Sequence, residues 1–217
     1  MSKPLTALAL LGAAGITTTA LTDAVTVALT GEPSFASDEH GVTAPFVLSG
    51  LVHVGAYVTF ATVLHSWRAQ IDGASRFRRA VRVVLTITLA VLALTLLIGT
   101  GVAVATGEVP DNAVFEAVAG IAFLLMFVAS LALGITLLRR PQLRLAARTL
   151  TGIIAALGLT ILLGATGSPW AHPAYVEVLA AFGLAFVALA PRHVHEADET
   201  TDVEPTTHQP RPARNPA

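Results

Sequence analysis

"VVLTITLAVLALTLLIGTGVAVATGEVP", Val83–Pro110, begins with 24 residues, Val83–Thr106, that carry no charge. At 1.5 Å of rise per residue, a helix needs about 20 such residues to cross the ~30 Å hydrocarbon core of a bilayer. The stretch therefore reads as a transmembrane helix, and its last residues say how it stops. A glycine just past the final turn can take the left-handed conformation that closes a helix, and a proline soon after cannot continue it.

The same ending recurs. "TVALTGEP" closes an apolar stretch at Thr26–Pro33, and "LLGATGSP" closes another at Leu162–Pro169. Working outward from these stops, six apolar segments can be marked: Leu5–Leu29, Pro45–Trp67, Val83–Thr106, Ala113–Leu138, Ala147–Gly167 and Ala171–Ala190. The expected fold is all-α, a polytopic membrane bundle of six transmembrane helices. Residues 1–190 form the membrane domain. From Pro191 the chain turns rich in Pro, Thr and acid, the composition of a disordered cytoplasmic tail over 191–217.

The bulk numbers agree. The chain has 217 residues, 54 % of them hydrophobic and 12 % charged. A soluble domain carries about twice that share of charge. The absence of cysteine excludes disulfides, thiolate metal sites and a cysteine nucleophile. Twelve Arg against one Lys, with abundant Ala and Gly, fits a GC-rich bacterial genome.

Charge placement gives orientation. Arg68, Arg76, Arg78, Arg79 and Arg82 follow the second span or open the third, and Arg139, Arg140, Arg144 and Arg148 follow the fourth. Lys3 precedes the first span, and Arg192, Arg211 and Arg214 follow the last. The other connections hold no Lys or Arg but carry Glu32, Asp38, Glu39, Glu108 and Asp111. The positive-inside rule then predicts a multi-pass protein of the plasma (inner) membrane with both termini cytoplasmic. A signal peptide is the other reading of Lys3 and the apolar run behind it. The run's length and the lack of a clean small-x-small cleavage site favour retention.

In that orientation the three Thr-Gly endings all lie at the outer ends of spans one, three and five. They read either as independent helix stops or as three copies of one helical hairpin, spaced 76 and then 60 residues apart. Phe115-Glu116 and Tyr175-Val176-Glu177 each lead into a returning helix and extend the likeness. Hairpins of equal orientation would be related by an axis along the membrane normal.

Ionisable groups inside a membrane are costly and mark candidate sites. Asp23, His53, Glu116 and Glu177 fall at similar depths, roughly 6–12 Å below the outer face by helical rise. No Lys or Arg shares that layer. Buried together, the carboxylates must be protonated, hydrogen-bonded, hydrated or neutralised by a cation. Asp23 lies on a polar stripe with Thr19, Thr22, Thr26 and Thr30, near a helix C-terminus where the dipole disfavours negative charge. His53 has Ser49 and Tyr57 one turn to either side. Each has a plainer reading. Glu116 and Glu177 suit the positive end of a helix dipole, Asp23 can bond across a helix pair, and an intramembrane His is more often packed than ligating. His172, beside Trp170 and Tyr175, reads as part of the interfacial belt, and His65 as interfacial at the inner end. Ser130 and Gly134, with the Gly-rich third and fifth spans, fit close helix contacts.

No HExxH, G-x-S-x-G, P-loop or dinucleotide fingerprint occurs. His193-x-His195 is a weak metal motif in the polar tail. The Arg76–Arg82 stretch reads as an orientation signal first and an anionic-lipid contact second. No catalytic residue and no cofactor are expected; Asp23, His53, Glu116 and Glu177 are weak candidates for metal ligands. Expected partners are the lipid bilayer, other membrane proteins and a small cation, not nucleic acid. The leading expectation is a non-catalytic membrane subunit or organising protein, with the polar layer as interhelical glue. The alternative is a small transporter or binding protein whose outward-facing pocket of Asp23, His53, Tyr57, Glu116 and Glu177 takes a proton, a metal ion or an organic cation. A membrane-embedded metal-dependent hydrolase is the third. A site needs these side chains to converge on a cavity, glue needs them dispersed among helix pairs, and the enzyme needs three ligands.

Overall fold

The computed structural model describes residues 3–191, and every regular element among them is helical. The tail, with Arg192, His193, His195, Arg211 and Arg214, lies outside the described residues. The helices are α1 (Lys3–Thr30), α2 (Ala44–Ser66), α3 (Arg68–Asp72), α4 (Arg76–Thr106), α5 (Ala113–Leu137), α6 (Arg144–Thr151), α7 (Ile153–Ala165) and α8 (Ala174–Val187). Five are long and apolar enough to cross a membrane: α1, α2, α4, α5, and the run Pro141–Ala165 that joins α6 to α7 through Gly152. Leu11, Leu51, Leu94, Leu124 and Ile161 stand exposed on these five. Such apolar flanks suit lipid and not water.

The caps explain the boundaries. Gly31, Gly107 and Gly167 all take positive φ, at 78°, 76° and 68°. At the first two stops the likeness reaches the side chains. Thr30 Oγ1 donates to Thr26 O and accepts from Glu32 N, and Thr106 Oγ1 does the same with Val102 O and Glu108 N. The third stop differs: Thr166 Oγ1 donates to Leu163 O, which also accepts from Ser168 N. At the other ends, Thr43, Ser75 and Asn112 accept from the first free amides of α2, α4 and α5.

The sixth predicted span is the one that departs from expectation. Residues 171–190 hold only a 14-residue helix, roughly 21 Å long. Pro173 starts it, and Ala188–Ala190 end it in turns. Its position accounts for its length. α8 packs against α1, α2, α5, α6 and α7, and no residue from Ala174 to Ala188 is exposed. Irregular backbone is tolerated at membrane depth where protein, not lipid, surrounds it. Around this centre α1 packs on α2, α2 on α4, α4 on α5 and α5 on α6.

Small residues set the closest approaches. A Cβ on Gly12 would meet Ala56 at 3.0 Å, and one on Gly134 would fall against the Leu150 side chain 2.6 Å away. The expectation for Gly134 thus has a named partner, whereas Gly101 and Gly158 face open space. Ser130 is fully buried, and its hydroxyl has no hydrogen-bond partner among the described residues.

The ends that carry arginine are tied together. α4 begins seven residues before the predicted span, because its basic first turns find partners there. Arg82 donates to both oxygens of Asp72, Nε to Oδ1 at 2.7 Å and Nη2 to Oδ2 at 2.8 Å, in a buried bidentate pair. Arg78 Nε donates to the Asp72 carbonyl, and Gly73 lies against the Arg140 guanidinium. Trp67 Nε1 donates to Ala190 O, and Thr6 Oγ1 donates to Ala188 O. These contacts gather the start of α1, the end of α2, the start of α4 and the end of α8 at one pole. Replacing Asp72 by Asn leaves Arg82 buried without its countercharge, and breaking such a pair costs about 3 kcal/mol or more. The expected outcome is a markedly lower thermal unfolding temperature for Asp72→Asn in detergent, with Arg79→Gln, an exposed partner, close to wild type.

Candidate functional site

At the pole opposite the arginines, two carboxylate–imidazole pairs face one cavity of about 210 Å³. Asp23, Ser34, His53, His172 and Glu177 are among its lining residues. α1 brings Asp23 to within two turns of its C-terminus, α2 brings His53, and Glu177 lies one turn into α8. His172 comes from the irregular segment just before Pro173.

The first pair joins α1 to the entrance of α8. Asp23 Oδ2 lies 3.3 Å from His172 Nε2, and Asp23 Oδ1 accepts from Ser34 N at 2.9 Å. His172 Nδ1 accepts from the Ala174 amide at 3.2 Å. An acceptor nitrogen carries no proton, so the neutral ring is protonated at Nε2, the nitrogen that faces Asp23.

The second pair is wired differently. His53 Nδ1 lies 2.8 Å from the Ser49 carbonyl, which can only accept, so Nδ1 carries the proton. That leaves Nε2 facing Glu177 Oε1 at 3.5 Å. Two bare acceptors would repel. The contact is attractive only with one more proton, held either by His53 as imidazolium or by Glu177 as the acid. Tyr57, one turn along, donates its hydroxyl to the same Oε1 at 3.1 Å and packs edge-on against the His53 ring. His53 and Glu177 both line the cavity.

Two further cavities adjoin. One of about 360 Å³ includes His53, Tyr57, Thr95, Phe123 and Glu177 in its walls. A larger one, about 790 Å³, includes His53, Thr100, Phe115 and Glu116. His53 lies in the walls of all three spaces.

Of the five residues marked in the sequence, Asp23, His53, Tyr57 and Glu177 come together. Glu116 does not join them. It is exposed on the first turn of α5, in the wall of the 790 Å³ cavity, and makes no ion pair there among the described residues. The threonines of the α1 stripe bond back to their own helix, as Thr19, Thr26 and Thr30 do, and of these three Thr19 also lines the polar cavity. No group of three His, Asp or Glu among the described residues is arranged to hold a metal ion. The metal candidates are thus disposed as pairs, with Glu116 apart.

Sequence reading missed His172 as a site residue, having placed it in the interfacial belt. In the sequence it stands at the very start of the last apolar segment, shallower than Asp23, so its pairing with Asp23 depends on how that segment enters the fold. Ser34 contributes a backbone amide, for which no sequence signal exists. His65, by contrast, sits at the arginine pole beside Arg68, as an interfacial residue would. The chain matches no protein-family model, no curated protein and no solved structure.

Asp23 holds the loop after α1 through Ser34. A hydrogen bond to a charged acceptor contributes about 1.5 kcal/mol or more, roughly tenfold in an opening equilibrium. Asp23→Ala should therefore lower hydrogen-exchange protection of the Ser34 amide by about tenfold, while amides in the middle of α4 keep theirs.

Proposed function

We propose that this is a multi-pass protein of the plasma (inner) membrane, with six spans and both termini cytoplasmic, that takes a small cation from the outer side into the polar cavity between α1, α2 and α8. The observation that carries the reading is the convergence of Asp23, His53, His172 and Glu177 on one cavity. Charge placement supports the orientation: the arginines share one pole, and the cavity lies at the other, beside Asp38 and Glu39. α8, enclosed by its neighbours from Ala174 to Ala188, serves as the sixth span.

Ionised Asp23 gives the cavity a negative charge, and the His53–Glu177 pair adds a proton that can be given up. A cation entering beside Glu177 would find a carboxylate there once that proton leaves, so binding of a cation and release of a proton are coupled at this pair. Pure interhelical glue would need the polar groups paired off away from any cavity, and here both pairs line one. A metal-dependent hydrolase would need three converging ligands, and the described residues offer no such group.

The absence of cysteine makes the chain its own background for thiol labelling. Ser49 lines both the polar cavity and its larger neighbour. In intact cells, Ser49→Cys should favour a membrane-impermeant trimethylammonium methanethiosulfonate over the sulfonate analogue by about tenfold more than a free thiol in solution does, since acidic walls concentrate cations. Gln142→Cys, at the arginine pole, should react only after permeabilisation. Protection of Ser49→Cys from both reagents, or faster reaction with the anion, would overturn the reading.

A further inference from the structure

A groove of about 530 Å³ lies between α2 and α4 and shares no wall residue with the three cavities of the acidic pole. It runs from Val54 to His65 along α2 and from Leu97 to Thr86 along α4, eleven residues on each. At 1.5 Å per residue that is roughly 16 Å, the depth of one leaflet of a ~30 Å hydrocarbon core. Val58, Leu94 and Leu97 in its walls are exposed. Thr62 and Thr86 turn their hydroxyls onto their own helices, so the surface they offer is hydrocarbon. The one other polar side chain in the walls is His65, at the end toward the arginine pole.

That end decides what the groove suits. His65 Nε2 faces Arg68 Nη1 at 2.9 Å. A guanidinium can only donate, so the imidazole accepts and is neutral, and Arg68 keeps its charge. Arg68 is exposed and forms no ion pair among the described residues. Arg79, also exposed, stands two turns before Thr86 on the same face of α4. Asp72 lies 3.7 Å from Arg79, but Arg82 already holds both of its oxygens. Among the described residues nine arginines gather toward this pole, and Asp72 is the only acid there. The groove is therefore an apolar channel one leaflet deep with an uncompensated cationic end.

We infer that this groove holds one acyl chain of an anionic phospholipid, whose phosphate is taken by Arg68, with Arg79 adding attraction from α4. A guanidinium matches phosphate with paired N–H donors, and each cation near an anionic lipid surface adds further attraction. A zwitterionic lipid would bring its own cation to the same arginines. A helix of a second copy would follow the flank through the whole ~30 Å core, whereas the groove ends at Val54 and Leu97, at about half that depth. Soluble phosphate would leave the channel unfilled. The inference uses the membrane-spanning reading and not the cation cavity, so the two can fail separately.

The test is native mass spectrometry of the full chain, released from mixed micelles holding equal amounts of dioleoylphosphatidylglycerol and dioleoylphosphatidylcholine. One phosphatidylglycerol should stay bound, saturably and in preference to phosphatidylcholine. Arg68→Gln should weaken this about tenfold, the loss of a charge-assisted bond, and Arg79→Gln about fivefold, the loss of one nearby cation. Arg144→Gln, exposed at the same pole but outside the groove, should bind as wild type. Ala90→Phe, at an exposed groove position, should abolish retention with an unchanged unfolding temperature, since it fills the channel and leaves the arginines in place. Excess glycerol 3-phosphate should not displace the lipid. Equal retention of the two lipids, an equal loss in Arg144→Gln, full binding to Ala90→Phe, or a lipid-free dimer would overturn the inference. Any of these, with Ser49→Cys still labelled from outside, leaves the cation cavity standing; failed labelling with the lipid result intact would strike that cavity alone.

Discussion

Hydrocarbon offers no hydrogen-bond partner, and that single constraint organises this molecule. Backbone groups satisfy themselves by forming helices. Most helical hydroxyls follow by bonding to the turn below. Ionisable side chains have no such local solution, so they must meet one another, and the helices that carry them must be adjacent. Asp23 with His172, and His53 with Glu177, join α1 and α2 to the start of α8; Asp72 with Arg82 joins α3 to α4. The polar pairs thus fix which faces turn inward, and the apolar remainder is left for lipid.

The two poles use the same kind of interaction to opposite ends. At the arginine pole the pairing is bidentate, buried and complete, with the backbone carbonyl of Asp72 also engaged. At the other pole the pairs line cavities, and His53 Nε2 faces a Glu177 oxygen 3.5 Å away, a contact that needs one more proton to attract. Completeness makes the first a clasp, and incompleteness makes the second a place for chemistry.

α8 shows why a linear reading goes astray where packing is dense. Its sequence has the hydropathy of a span, yet it is short and enclosed, with Gly183 and a run of alanines letting its neighbours close on every side. Because it touches five helices, the carboxylate one turn into it can be reached from several of them. Glu177 and Glu116 look alike in sequence, each near the start of a returning helix. One begins the central helix and the other a peripheral one, and burial separates them.

Sequence alone determined what depends on neighbours along the chain. Apolar length and the one-sided arginines marked the helices, with the five long ones close to where they were drawn. The Thr-Gly endings marked the glycines that turn left-handed, because a helix stop is local chemistry. The polar layer was legible as well, since an ionisable residue in an apolar run stands out wherever it is. Tertiary structure decided the rest. That His172 pairs with Asp23, that Tyr57 reaches Glu177 and that Glu116 stands apart all depend on how helices rotate and close upon one another. That rotation is set by contacts between residues as many as 182 positions apart, such as Thr6 with Ala188, which no periodicity in the chain records.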